Sequence, residues 1–416
     1  MDNKIKVIDS PMGFGKTSYL IQMINEDKEN NKYIYITPFL DEVTRIEVSC
    51  RGKKFCQPTN KAKNGSKLES LKQLINKGKN IVSTHALFSM ADEELTTLIK
   101  THGYTLILDE VMNVVEQVER ITRDDINTLI NENHIEIEEE PYNKVVWKSA
   151  GYDGRFNDIK QMAYNDSLFY VNNSLMIWSL PVNVFKVFET IYISTYMFDA
   201  QIQKYYYDYF GLKYTYYHVV HNENKYSIVE TINNDYDKEF KNKAKSLIKI
   251  IDNPRLNAIG DYYTYNNVEY KSALSKSWYE KYKQDDVMIN ALKKNLSNFF
   301  RKQCVDKAEL NMWTTFKDFQ SKVKGKGYTK GFIPLNSRAT NQYSHKTNCA
   351  YVINRYLNPF YKHFFQQRGI LVDEDKFALS EMLQWIWRSA IRNDQFINLY
   401  IPCERMRNLL IDFLNE

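Results

Sequence analysis

Ser10-Pro11-Met12-Gly13-Phe14-Gly15-Lys16-Thr17 is the stretch on which the reading of this chain turns. It follows a short segment, Lys4–Asp9, that predicts a strand, and precedes a pattern that predicts a helix from about Lys16 to Glu29. A strand, a glycine turn and a helix in that order make a cradle for phosphate. Gly13 and Gly15 allow successive amides to turn inward, and the helix N-terminus adds partial positive charge. Lys16 is placed to neutralise β- and γ-phosphates, and the Thr17 hydroxyl to hold Mg²⁺, with Phe14 and Ser18 completing the loop. Ser10 replaces the first glycine of the common pattern, at little cost, because Gly13, Gly15, Lys16 and Thr17 carry the geometry.

Outward from this loop, strand signals recur at Tyr33–Thr37, Asn80–Ser83, Thr105–Leu108 and Ile191–Ser194, separated by helical patterns or turns. That alternation predicts an α/β fold with a parallel sheet flanked by helices. Ile135–Glu140 and Lys144–Lys148 alternate differently and predict a hairpin, inside an insertion of about residues 131–175. The polar stretch His221–Lys225 is read as the domain boundary, giving domains 1–222 and 223–416. The second half adds strand signals at Leu310–Thr315, Cys349–Ile353 and Phe396–Ile401, and a closing helix at Glu404–Leu414.

Thr105-Leu-Ile-Leu-Asp-Glu110 supplies a second half to the site. Its apolar run ends in two acids at the carboxyl end of a strand, where α/β sheets bind ligands. Asp109 is assigned to the Mg²⁺ shell and Glu110 to orienting or deprotonating the attacking water.

Composition sets the bounds. The chain has 416 residues, enough for two domains, with 43% apolar, 14% aromatic and 26% charged residues. No apolar run reaches the length of a membrane span and the N-terminus lacks a signal-peptide pattern, so a cytoplasmic protein is expected, in the host cytoplasm if viral. Five scattered cysteines predict reduced thiols; Cys50 and Cys56 with His85 or His102 are the alternative, as a metal set. A net charge of +5 is modest, but Arg51–Lys79 holds nine basic residues against one acid, Glu69. Lys322, Lys324, Lys326 and Lys330 form a second basic cluster, and both are candidate phosphate contacts. The run Tyr205-Tyr-Tyr-x-Tyr209 is read as a packing face rather than a base-stacking surface.

Pro-Met-Gly-x-Gly-Lys-Thr followed by Asp-Glu closing an apolar strand resembles the superfamily 2 helicases, and the Pro-Met form is similar to the loop of herpesvirus-type origin-binding helicases. Thr37-Pro38 resembles the family's segment Ia, Ser83-Thr84 its next nucleic-acid-contacting segment, and Ser194-Thr-Tyr196 its third motif. Gln384-Trp-Ile-Trp-Arg388-Ser-Ala-Ile-Arg392 resembles motif VI, with Trp387 in place of the usual glycine. Spacing of four puts Gln384, Arg388 and Arg392 on one face if the segment is helical. The resemblance implies that these arginines reach the γ-phosphate, with Arg392 as the finger. Met312–Lys317 resembles motif IV, with Lys317 as a contact. Asn336–Asn341 resembles motif V, with Arg338, Thr340 and Asn341 touching nucleic acid.

The resemblance thus implies two RecA-like domains and an ATP- and Mg²⁺-dependent helicase or translocase. Its partner would be nucleic acid, DNA rather than RNA, in phage replication or recombination alongside replication proteins. The competing class is a P-loop ATPase that drives a protein or DNA-packaging partner without strand separation. Packaging would need a nuclease domain with clustered acids, which the second half does not display at strand spacing.

Overall fold

The computed structural model describes residues 4–60, 66–139, 143–223, 225–232, 234–261, 272–284, 286–335 and 342–416. The chain divides into two compact units. The first comprises Met1–Ser10, Phe14–Ile232 and Asn358–Val372, and the second Pro11–Gly13, Asn233–Leu357 and Asp373–Glu416.

In chain order the first unit contains β1 (Ile5–Asp9), β2 (Lys32–Thr37), β3 (Phe55–Cys56), β4 (Asn80–Thr84) and β5 (Tyr104–Asp109). Then come β6 (Val115–Gln117), β7 (Ile135–Glu138), β8 (Lys144–Trp147), β9 (Leu168–Val171) and β10 (Leu175–Ser179). It closes with β11 (Thr190–Thr195), β12 (Tyr214–Asn222) and β13 (Lys225–Glu230).

Eight of these strands form one sheet in the order β13-β12-β1-β11-β5-β2-β4-β3. Every pairing in it is parallel except β12 with β13. β2 and β5 are buried almost end to end, as strands covered on both faces must be. The helix Lys16–Glu26 buries Leu20 and Ile24 against Ile8, Tyr35, Val82 and Ile107.

The inserted region is larger than residues 131–175. It runs through β6 to β10, a five-stranded sheet ordered β6-β10-β9-β8-β7, with the expected hairpin as β7 and β8. Helices Arg123–Asn131 and Asn157–Tyr164 complete it, and Ile126, Leu129, Val145, Trp147 and Leu168 give it a core of its own. Short, half-exposed edge strands such as β6 carry too little apolar patterning to be read from sequence.

The expected domain boundary at His221–Lys225 falls where β12 ends and β13 begins. Backbone pairing of Tyr217–Asn222 with Lys225–Glu230 keeps β13 in the first sheet. Tyr205, Tyr206, Tyr207 and Tyr209 are all buried; the Tyr206 hydroxyl donates to the Leu180 carbonyl at 2.7 Å, and Tyr209 stacks on Phe364 with centroids 4.7 Å apart. The run packs the core.

The second unit holds β14 (Ile248–Ile250), β15 (Asn311–Thr314), β16 (Asn348–Tyr351) and β17 (Ile397–Tyr400), all parallel in the order β14-β17-β16-β15. Helices Lys238–Leu247 and Glu404–Asn415 pack on each other, and Glu374–Ile386 packs on the latter. The mixed α/β class with parallel sheets flanked by helices is the one the strand alternation predicts.

Candidate active site

The register of the large sheet aligns the candidate residues. Asp9 pairs with Thr195, Ser194 with Asp109, and Thr37 with Thr84, so the ends of β1, β11, β5, β2 and β4 form one carboxyl edge. Residues as distant in the chain as Asp9 and Thr195 are thereby brought into line. The hydroxyls of Thr37, Ser194 and Thr195 are buried there without a hydrogen-bond partner among the described residues.

The glycine loop leaves β1 at Ser10, whose amide donates to the Thr195 carbonyl at 3.0 Å and whose hydroxyl accepts from the Val219 amide at 2.8 Å. β1 is therefore tied to both neighbours where the loop begins. Gly13 and Gly15 both have positive φ, 88° and 80°, a region in which side chains are strained. The Lys16 ammonium donates to the Ser10 carbonyl at 2.5 Å and so lies over its own loop.

Thr17 and Asp109 lie side by side. The Thr17 hydroxyl lies 3.3 and 3.4 Å from the two Asp109 carboxylate oxygens, one of which also accepts from the Tyr35 hydroxyl at 2.9 Å. Burial raises the Asp109 carboxyl above its ordinary range, opposed by the Tyr35 hydrogen bond, the charges of Lys16 and Arg45, and Thr17. Burial and the neighbouring Asp109 charge push the Tyr35 phenol well up. A hydroxyl and a carboxylate converging beside a lysine are hard oxygen donors suited to Mg²⁺, which keeps most of its shell as water and phosphate oxygen.

Glu110 is half-buried just past β5, with φ 68° and its amide donating to the Ser194 carbonyl at 2.9 Å. A left-handed non-glycine residue costs about 1–2 kcal/mol. Here it turns the chain directly after Asp109.

Two residues escaped the sequence reading. In the sequence Tyr35 is one residue of an apolar strand, and Asp9 is a strand end. Asp9 is buried, and its two oxygens each accept a backbone amide at 2.8 Å, from Met197 and from Phe198. Burial raises its carboxyl to about 6 despite those bonds and the charge of Lys16. The one signal in the sequence is an acid directly closing the apolar pair Val7-Ile8.

The motif VI segment is not a continuous helix. The helix Glu374–Ile386 carries Gln384 but stops before Trp387, and Arg392 sits on a 3₁₀ turn, Ala390–Asn393, so the three side chains do not share one helical face. The Arg388 guanidinium is buried and donates to the carbonyls of Pro334 at 3.2 Å and Leu335 at 2.9 Å, whereas Arg392 is exposed. Lys317 is exposed just beyond β15. Arg338, Thr340 and Asn341 lie outside the described residues.

Of the basic stretch Arg51–Lys79, Lys53 pairs with Asp27 at 2.9 Å, and Lys72 pairs with Asp92 at 2.6 Å and Glu94 at 2.5 Å. Those two charges serve the fold. Lys322, Lys324, Lys326 and Lys330 are all exposed, around the buried anchors Val323 and Tyr328. The five cysteines are free, and among the described residues no group of three His, Cys, Asp or Glu side chains converges to hold a metal, so Cys50 and Cys56 form no such set with His85 or His102. No described helix is long and apolar enough to cross a membrane.

Among solved structures, S. tokodaii Xpd4 aligns over 99% of this chain and 94% of its own, at 12% identity and a TM-score of 0.42. The DUF1998 helicase MrfA bound to DNA and AMPPNP aligns over 100% of this chain and 48% of its own, at 10% identity and a TM-score of 0.33. The YonV middle domain matches residues 115–178, which are the inserted sheet, and the YonV C-terminal Rossmann-like domain matches residues 242–414. The SPbeta prophage-derived uncharacterized protein YonV of Bacillus subtilis (strain 168) is 44% identical over 423 residues, spanning 99% of both chains. With that identity along the whole length, the chain belongs to the YonV family.

Proposed function

We propose that this protein is a nucleoside triphosphatase that moves along nucleic acid, a helicase or translocase acting on DNA in phage replication or recombination. The observation that carries the reading is the convergence of Lys16, Thr17, Asp109 and Glu110 at one sheet edge, beside a loop with two left-handed glycines. ATP is the proposed nucleotide. Loop amides and Lys16 would bind its phosphates, and Thr17 with Asp109 would hold Mg²⁺, which when bound neutralises charge on the phosphate oxygens. Glu110, turned out of the strand by its left-handed backbone, orients the attacking water and accepts its proton.

The nucleic-acid half of the proposal is supported by the order of the motif-like segments and by the placement of Thr37, Pro38, Ser83 and Thr84 along the same edge as Asp109. The similarity of the Pro-Met loop to origin-binding helicases and the prophage source of the 44% identical relative favour a replicative role.

The test is NTP hydrolysis without polymer and then with single-stranded DNA, duplex DNA and RNA, for the wild type, Lys16→Ala and Glu110→Gln. Wild-type turnover stimulated by DNA is expected. Both variants should lose turnover, and Glu110→Gln should retain ATP binding because the amide keeps size and hydrogen bonding. Undiminished hydrolysis in Lys16→Ala would sink the assignment.

A further inference from the structure

We propose that Tyr226 and His221 form a stacking platform for the base of the bound nucleoside triphosphate; the inference rests on the phosphate-loop reading above. Sheet order sets the direction. Asp109 lies at the end of β5, two strands from β1 on one side, and the β12–β13 hairpin lies on the other side of β1. A triphosphate whose terminal phosphate faces Thr17 and Asp109 therefore extends its nucleoside end toward the hairpin.

The hairpin brings aromatic surface to that place. His221 and Tyr226 are directly paired across β12 and β13, with ring centroids 4.5 Å apart and planes 27° from parallel. The Val219 amide bonds to the Ser10 hydroxyl, so His221 lies two residues beyond the level at which the phosphate loop begins. The Tyr226 ring rests on the loop itself, since a Cβ added to Gly15 would stand 2.2 Å from one of its carbons. Its position is imposed by the helix that follows the loop. The Gln22 side chain accepts from the Tyr226 amide at 2.9 Å and donates to its carbonyl at 3.1 Å, and Lys225 pairs with Glu26 at 3.1 Å.

His221 is exposed and Tyr226 only half-buried, so the pair keeps ring surface for a ligand. Stacking of a base on an aromatic ring needs no particular sequence of donors, because every base has a π-face. Tyr226 also lines a cavity of about 630 Å³ with Tyr19, Tyr33 and Tyr192, but Thr105 and Thr190 place that cavity at the amino ends of β5 and β11, away from the phosphate loop.

Calorimetric titration of the full chain with ATP and with inorganic tripolyphosphate, both with Mg²⁺, separates the contributions. Tyr226→Leu should weaken ATP binding by roughly tenfold or more while leaving tripolyphosphate within about twofold, and Tyr226→Phe should keep both. His221→Ala, on an exposed residue that does not endanger folding, should weaken ATP several-fold and spare tripolyphosphate. Equal losses for the two ligands, or unchanged ATP binding in both Tyr226→Leu and His221→Ala, would show that the ring only packs on Gly15 and overturn the platform. A wild type that binds neither ligand, or that binds them as well when Lys16 is Ala, would instead remove the phosphate-loop reading on which the platform rests.

Discussion

Both carboxylate oxygens of Asp9 are engaged by backbone amides, so this side chain clamps the end of β1 to the turn that follows β11, where Met197 adopts a left-handed φ of 56°. The clamp has a pH signature. The carboxyl is raised to about 6 from an ordinary value of 3.8, so across that window the folded state binds more protons than the unfolded one. Unfolding free energy must then fall as pH rises through the window, and the full cost of the buried charge is present above it. Relative to Asp9→Asn, the wild type should lose up to ~3 kcal/mol between about pH 4 and pH 7, by urea unfolding of both proteins. A pH-independent difference would mean that Asp9 titrates as an ordinary carboxylate. Arg388 and Arg392 divide on a second criterion. Arg388 makes two charge-assisted bonds to carbonyls, each contributing about 1.5–3 kcal/mol, so Arg388→Lys should lower the melting temperature. Arg392 is exposed, and if it is the finger, Arg392→Lys should lower turnover by about 10³-fold or more. Normal turnover in Arg392→Lys would remove that role.

The inserted sheet is an element with a hydrophobic core of its own. Its helix Arg123–Asn131 begins with a capping box between Thr122 and Asp125 and buries Ile126 completely in a core separate from that of the large sheet. Ile126→Ala should therefore destabilise the insertion by about 2–5 kcal/mol, while NTP turnover measured well below its melting transition stays near wild type. Loss of turnover at full folding would make the insertion part of the active site. The helix carrying Gln384 illustrates how an element can end without a stop signal. No glycine or proline follows Ile386, yet the Ser389 hydroxyl donates to the Ile386 carbonyl at 2.7 Å, and the Trp385 indole donates to the Ile333 carbonyl at 3.0 Å. Local side-chain bonding and tertiary anchors outcompete one more helical turn.

Across the whole molecule, charge is the property that bears on a polymer. Lys322, Lys324 and Lys326 are exposed and form no ion pair with a carboxylate among the described residues, in contrast to Lys53 and Lys72. If they neutralise DNA phosphates, replacing all three by Glu should reduce the slope of log affinity against log salt by about three. An unchanged slope would leave them as solvated surface. The elements themselves were legible because their causes are local: the tight loop after β1 is marked by glycines at set spacing, and β2 and β5 by unbroken apolar runs. The positions of Asp109 and Thr17, at the end of a strand and the start of a helix, follow from the same local pattern. Other features depend on residues distant in the chain. Tyr35 reaches Asp109 only because β2 pairs with β5, Asp9 meets Met197 only because β1 pairs with β11, and Tyr226 covers Gly15 only because the hairpin stays with the first sheet. Sequence alone therefore determined the α/β class and the strand, glycine loop and helix that open the chain, through local spacing and periodicity. Tertiary structure decided the partners of the buried carboxylates, the extent of the insertion and the carbonyls that hold Arg388, because strand order and burial are properties of the assembled sheet.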